Sequence, residues 1–206
     1  MKDQKKMIVV GISGASGPIL GVRLIEELLN SGEKVAAIVS QPACQIIEYE
    51  IFRGETHFSS LKELLIKRGL ARNHDLLSEF KNNDFFAPVA SGSTKFQAMV
   101  VIPCSMKTLS AIVHGYADSL ITRTCDVALK EKRRCIIVPR ETPLSVVHTG
   151  NIHRAALAGI EIVPPVLGFY TRPESLDDVV NFVVGKVLNL LDRDHNLFES
   201  WGKKEI

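Results

Sequence analysis

Five short apolar runs, each stopped at its carboxyl end by glycine, serine or proline, constrain the fold of this chain more than any other feature. Met7-Ile8-Val9-Val10 ends at Gly11, Val35-Ala36-Ala37-Ile38-Val39 meets Ser40, and Ala98-Met99-Val100-Val101-Ile102 is closed by Pro103. Cys135-Ile136-Ile137-Val138 is closed by Pro139, and Ile160-Glu161-Ile162-Val163 by Pro164-Pro165. Runs this short and this apolar read as strands buried on both faces. Helical periodicity fills the gaps between them. Pro18 suits the first turn of a helix that buries Ile19, Val22, Leu24, Ile25, Leu28 and Leu29 and stops at Ser31-Gly32. Further helical patterns run from Leu61 to Gly69, Thr108 to His114, Leu120 to Lys130 and Leu176 to Leu191. Strands alternating with helices predict an α/β fold with a parallel sheet covered on both faces. At 206 residues the chain suits one domain, residues 1–206, better than two. The polar stretch from Arg53 to Ala90 reads as a helical excursion between the second and third strands.

Charge and cysteine usage narrow the function classes. A formal net charge of +2 gives no polyanion-binding surface, and the basic runs Lys5-Lys6 and Lys132-Arg133-Arg134 are short enough to be solvated surface. No apolar run reaches the roughly 20 residues that cross a bilayer. Nucleic acid and membrane are therefore not expected partners. Cys44, Cys104, Cys125 and Cys135 form no CxxC pair, and no secretory segment is read ahead of them, so a reduced, cytoplasmic protein is the expectation. His148 and His153 lie five apart, a spacing that splays them on a helix, and no metal site is expected.

In an open parallel sheet, ligands bind outside the carboxyl ends of the strands. The residues there are Gly11-Ile12-Ser13-Gly14-Ala15-Ser16-Gly17, Ser40, Pro103 to Thr108, Arg140-Glu141-Thr142-Pro143 and Pro164 to Tyr170. Hydroxyls, glycines and charges thus gather along one edge. The first loop offers a helix N-terminus and the hydroxyls of Ser13 and Ser16 to a phosphate. A tight strand–helix turn with a serine cap would use the same residues. Its glycines fall at 11, 14 and 17, which is neither GxGxxG nor a P-loop. Ser105 and Thr108 begin a second helix able to hold an anion, or simply to cap itself. Arg123 and Lys130, seven apart, share a helix face and could bind an anion or pair with carboxylates such as Asp126.

These segments together resemble the UbiX-type flavin prenyltransferases. The matching motifs are GISGASG (Gly11 to Gly17), SGS (Ser91 to Ser93), PCSMKTLSAIVHGYADSLITRTCDVALKEKRR (Pro103 to Arg134), RETPLS (Arg140 to Ser145) and PPVLGFYTRPESLDDVV (Pro164 to Val180). Five motifs in order cover nearly the whole chain, and the likeness weakens only between Arg53 and Ala90. The resemblance implies a Rossmann-like or flavodoxin-like three-layer sandwich, bound FMN and a dodecamer. It implies transfer of a dimethylallyl group from dimethylallyl monophosphate, or the pyrophosphate, to N5 and C6 of reduced FMN. The prenylated FMN would then serve a UbiD-type decarboxylase.

Carried over by residue, the resemblance puts FMN on Gly14, Ala15, Ser16, Ser40, Ser105, Met106, Lys107, Thr108 and Arg123. It puts the prenyl phosphate on Lys130, Arg140, Tyr170 and Lys186, and Glu50, Glu141 and Ser16 at the reacting centre. Lys186 stands where some relatives carry Arg, which keeps the charge and loses the bidentate fork. No aspartate-rich motif offers to hold magnesium; Asp177-Asp178 opens the last helix and reads as charge complementing its dipole. Cationic side chains are therefore expected to stabilise the leaving phosphate. A related cysteine decarboxylase would carry a PxMNxxMW segment, where this chain has Cys104-Ser105; a mere FMN carrier would not need a second set of cations. Trp201, the only tryptophan, lies in a tail (about 192–206) expected to pack on a neighbouring subunit of a closed oligomer.

Overall fold

A computed structural model describes residues 7–69, 72–199, 201 and 202; Lys5-Lys6 lies outside them. The chain order is β1 (Met7–Ile12), α1 (Ile19–Asn30), β2 (Val35–Val39), α2 (Gln41–Glu50), α3 (Leu61–Lys67) and β3 (Leu77–Lys81). It continues through β4 (Phe96–Cys104), α4 (Met106–Val113), α5 (Leu120–Lys130), β5 (Arg134–Pro139), α6 (Val146–Leu157), β6 (Glu161–Ile162) and α7 (Leu176–Leu190). The described strands form one six-stranded sheet in the order β3-β2-β1-β4-β5-β6, every pair parallel. This is the Rossmann-type order, and it reverses between β1 and β4, where such sheets open a crevice for ligands.

The strand pleat sorts side chains into two cores. Ile8, Val10, Ile12, Val100 and Ile136 face α1, α3 and α7 on one side of the sheet. Val9, Ala36, Met99, Val101 and Ile137 face α4, α5 and Ala155 of α6 on the other. α1 comes close to the sheet because Gly21 lies against the Ile102 carbonyl and the Ile12 side chain, where a methyl group has no room.

Three elements depart from the sequence expectation. β4 runs through Pro103 to Cys104 rather than ending before the proline. The excursion between the second and third predicted strands contains β3, an edge strand whose Leu77-Ser78-Glu79-Phe80-Lys81 has no fully buried residue and therefore lacks an apolar signature. From Asn82 onward the chain lies along α5 instead of forming a helix: the Asn82 carbonyl and side chain take the Leu120 and Ile121 N–H groups, and Val89 packs into the α5 side of the core. α2 and α6 also escaped the periodic pattern. α2 buries only Ala43 and Ile47, and α6 only Asn151 and Ala155.

Candidate active site

The glycine loop after β1 is built as a junction rather than an open phosphate cradle. The Ser13 hydroxyl is buried; it donates to the Pro103 carbonyl at 2.9 Å and accepts the Ser105 N–H at 2.8 Å, stapling the β1 and β4 loops together. Ser13 is thus not the free donor its sequence position suggested. The Gly17 N–H is taken by the Glu50 carboxylate at 2.8 Å, so the last residue of α2 supplies an anion where α1 begins. At the other end of α2, Pro42 presses on Gly14, where a Cβ would lie 2.6 Å from the ring. α2 therefore closes over Gly14, Ala15 and Ser16, and Ser40, buried at its N-cap, accepts the Ala43 N–H at 3.3 Å.

The start of α4 remains as the second anion-binding terminus on this edge. Ser105 accepts the Thr108 N–H at 3.2 Å, and the two hydroxyls lie 2.9 Å apart. Met106 turns its side chain into the core, so it can offer a ligand only its backbone, while Lys107 is exposed. Behind Ser105, burial pushes the Cys104 thiol well above its usual pKa, with Cys135 nearby adding to the effect. A hydrogen bond with Cys135, together with burial, does the same for Cys125. Neither is a thiolate nucleophile.

Arg140 follows β5 on the same edge. Its N–H bonds the Cys104 carbonyl at 3.0 Å, and its Nε is buried with no hydrogen-bond partner among the described residues. A buried guanidinium N–H without an acceptor is costly, and an anionic ligand would remove that cost. Glu141 is exposed, and its carboxylate accepts the backbone N–H of Thr142 at 3.0 Å.

The edge therefore collects Gly14, Ala15, Ser16, Ser40, Glu50, Ser105, Thr108, Arg140 and Glu141. It does not collect the rest. Arg123 bonds the Ala90 carbonyl at 3.1 Å and Asp126 at 2.7 Å, the surface pairing left open by its spacing. Lys130, the last residue of α5, pairs with Glu131 at 3.2 Å beside Gly92 of the SGS segment. Tyr170 lies edge-on to Phe182 and Trp201, with ring centroids at 5.8 and 5.3 Å. Lys186 stands on α7. Because α5 and α7 cover opposite faces of the sheet, one chain cannot close Lys130 and Lys186 around one phosphate. Two cavities, of about 760 and about 610 Å³, open away from the edge: one beside Arg133, Arg134 and Glu161, the other beside Tyr170, Phe198 and Trp201.

Comparison with known proteins decides the family. Residues 1–188 match the Flavoprotein family model. The flavin prenyltransferase UbiX of Methanocaldococcus jannaschii is 44% identical over 195 residues, spanning 95% of this chain and 98% of that protein. A crystal structure of AnUbiX in complex with FMN and dimethylallyl pyrophosphate superposes with a TM-score of 0.86 at 40% identity, covering 98% of this chain and all of that one. A dodecameric FMN-dependent UbiX-like decarboxylase from Escherichia coli O157:H7 gives a TM-score of 0.82 at 36% identity, covering 95% and 98%. The chain belongs to the flavin prenyltransferase family. Membership over nearly its whole length favours prenyl transfer over the cysteine-decarboxylase and carrier alternatives. Of the elements that form this edge, α2 is one that sequence reasoning missed. Its one local signal is Ser40 followed by Pro42, a capping serine with proline in the first turn.

Proposed function

We propose that this chain transfers a dimethylallyl group from a dimethylallyl phosphate to reduced FMN, joining it at flavin N5 and C6. Reduced FMN supplies the electron-rich positions that accept the prenyl group. Ser105, Thr108 and the backbone of Met106 and Lys107 would hold its phosphate, with Gly14, Ala15, Ser16, Ser40 and Arg123 along the flavin. Arg140, Lys130, Lys186 and the Tyr170 hydroxyl would hold the donor's phosphate and stabilise it as it leaves. Holding both partners in register converts an encounter into an oriented reaction. Glu141, Glu50 and Ser16 would move the protons that ring closure requires. The observation that carries this reading is the buried, partnerless Nε of Arg140, beside the hydroxyl pair that opens α4.

Lys130 and Lys186 can serve one donor only if different copies contribute them, which supports a closed homo-oligomer such as the dodecamer of the E. coli relative. Exposed apolar side chains run together at Phe85-Phe86 and at Leu144, Val146 and Val147, surface of the kind a partner copy would cover. No helix among the described residues is long and apolar enough to cross a membrane; we read the enzyme as cytoplasmic, handing its product to a UbiD-type decarboxylase. Supplying reduced FMN with either the monophosphate or the pyrophosphate, and comparing initial rates, tests donor choice. Failure to bind FMN at any concentration would end the reading.

A further inference from the structure

The C-terminal tail, read from sequence as an arm for a neighbour, is bonded to its own chain for most of its described length. Arg193 donates to Glu33 at 2.9 Å and to Gln97 at 2.6 Å, at the amino edge of the sheet. His195 meets Asn189 of α7 at 3.0 Å, and its other ring nitrogen takes the Leu197 N–H at 3.2 Å. These contacts bring Phe198 back onto α7 at Gly185. A Cβ on Gly185 would lie 2.5 Å from the Phe198 ring and 2.7 Å from His195. Glycine is among the poorest helix formers, and here its use in mid-helix has a packing reason.

The docked ring has a further consequence. Phe198 packs against Phe182, with centroids 5.1 Å apart at 59°. Together they form a slot for the Lys186 ammonium, which lies 5.3 Å from the Phe198 centroid and 5.4 Å from that of Phe182. Both distances are in the range where a ring face attracts a cation. A lysine on an exposed helix face is otherwise a mobile point charge on a flexible stem. Two ring faces restrict it without neutralising it, since neither is an anion. Phe182 also carries Tyr170 on its edge, so the same ring serves two of the groups assigned to the donor phosphate.

We propose that Phe198 is a positioning residue for the prenyl donor: docked on Gly185, it holds the Lys186 ammonium in a two-ring slot and sets the enzyme's affinity for the donor's phosphate. This rests on the reading of Lys186 as a donor-phosphate ligand. The slot substitutes for the rigidity that a forked arginine would bring. Phe198 touches neither flavin nor reacting carbons and acts through the ammonium that holds the donor, so its effect is larger in donor KM than in kcat.

The test uses the full-length, FMN-loaded enzyme with dimethylallyl monophosphate. Phe198→Leu should raise the donor KM about three- to fivefold, the scale of one ring–cation contact at an exposed site, with a smaller change in kcat and FMN affinity unchanged. Phe198→Tyr, which keeps the ring, should restore the KM. In a Lys186→Met background, Phe198→Leu should add nothing further, because the residue it acts through is gone. Gly185→Ala keeps the phenyl ring but pushes it off the helix, and should reproduce the KM increase; it decides the matter if Phe198→Leu fails to fold. A KM unchanged or lowered by displacing Phe198, or raised equally with Lys186 absent, overturns the proposal while leaving Lys186 in its role. A Lys186→Met enzyme with an unaltered donor KM removes the role of Lys186 itself, and the positioning role with it.

Discussion

Glu141 presents the sharpest contrast between a side chain's surroundings in one chain and the role assigned to it. It is exposed and holds only its neighbour's N–H, yet ring closure needs a group to move protons beside the flavin. Glu141→Gln keeps the shape and removes the exchangeable acid. It should bind FMN and donor normally and form finished product at least ~100-fold more slowly, the usual scale for losing an acid–base group. Wild-type turnover in a stopped-flow assay would make Glu141 a structural residue. The identities of such residues were legible through motifs, because Ser105, Thr108 and Arg140 occupy the carboxyl ends of strands wherever the strands fall. Their present partners were not. Nothing in the spacing of Ser13 and Pro103, or of Gly17 and Glu50, signals a bond across 90 or 33 residues.

At the scale of elements, close approach and capping make separate demands. Gly21 lets α1 lie on the Ile102 carbonyl, and Gly21→Ala should destabilise the fold by about 1–3 kcal/mol, the cost of overpacking a tight contact, as read by denaturant unfolding. α7 begins with a capping box: Ser175 accepts the Asp178 N–H, and the Asp178 carboxylate takes the Ser175 hydroxyl at 2.8 Å and two backbone N–H groups at 2.9 and 3.0 Å. This agrees with reading the acidic pair as complementing the helix dipole. The Ser175 hydroxyl and these N–H groups hold the carboxyl of Asp178 below its ordinary pKa. Its stabilisation is therefore full above the unfolded value near 4, and is lost as pH falls through the lower folded value. Asp178→Ala should lower Tm at about pH 7 and by less at about pH 2, as the wild-type carboxylate takes up its proton. An equal Tm difference at both pH values would contradict the linkage. Buried, periodic elements such as α1, α5 and β5 were readable from sequence because their patterns report their own core. β3, α2 and α6 were not, because each turns most of its surface away from that core.

On the proposed assignment of donor ligands, one copy of the molecule holds an incomplete site. Lys130 and Lys186 cover opposite faces of one sheet, while the motif resemblance assigns both to one donor. A Lys130→Ala protein and a Lys186→Ala protein, each impaired at low donor concentration, should on joint unfolding and reassembly gain about a quarter of wild-type activity above the residual of either alone, the fraction of shared sites that draw each lysine from an intact copy. No recovery despite mixed assembly would place both lysines within one subunit's site. Assembly was only partly legible in sequence: Trp201 signalled packing, yet its ring stands edge-on to Tyr170 of its own chain while remaining 80% exposed. Purified enzyme, reduced FMN and dimethylallyl monophosphate should be incubated without oxygen, with and without exhaustive chelation, and the released flavin weighed by mass spectrometry. The account predicts FMN heavier by one isoprene unit, formed at the same rate with chelator present, since cationic side chains carry the leaving phosphate. Recovery of unmodified FMN alone, with the monophosphate and again with the pyrophosphate as donor, would contradict prenyl transfer, and product that appears only when magnesium is restored would contradict the cationic clamp.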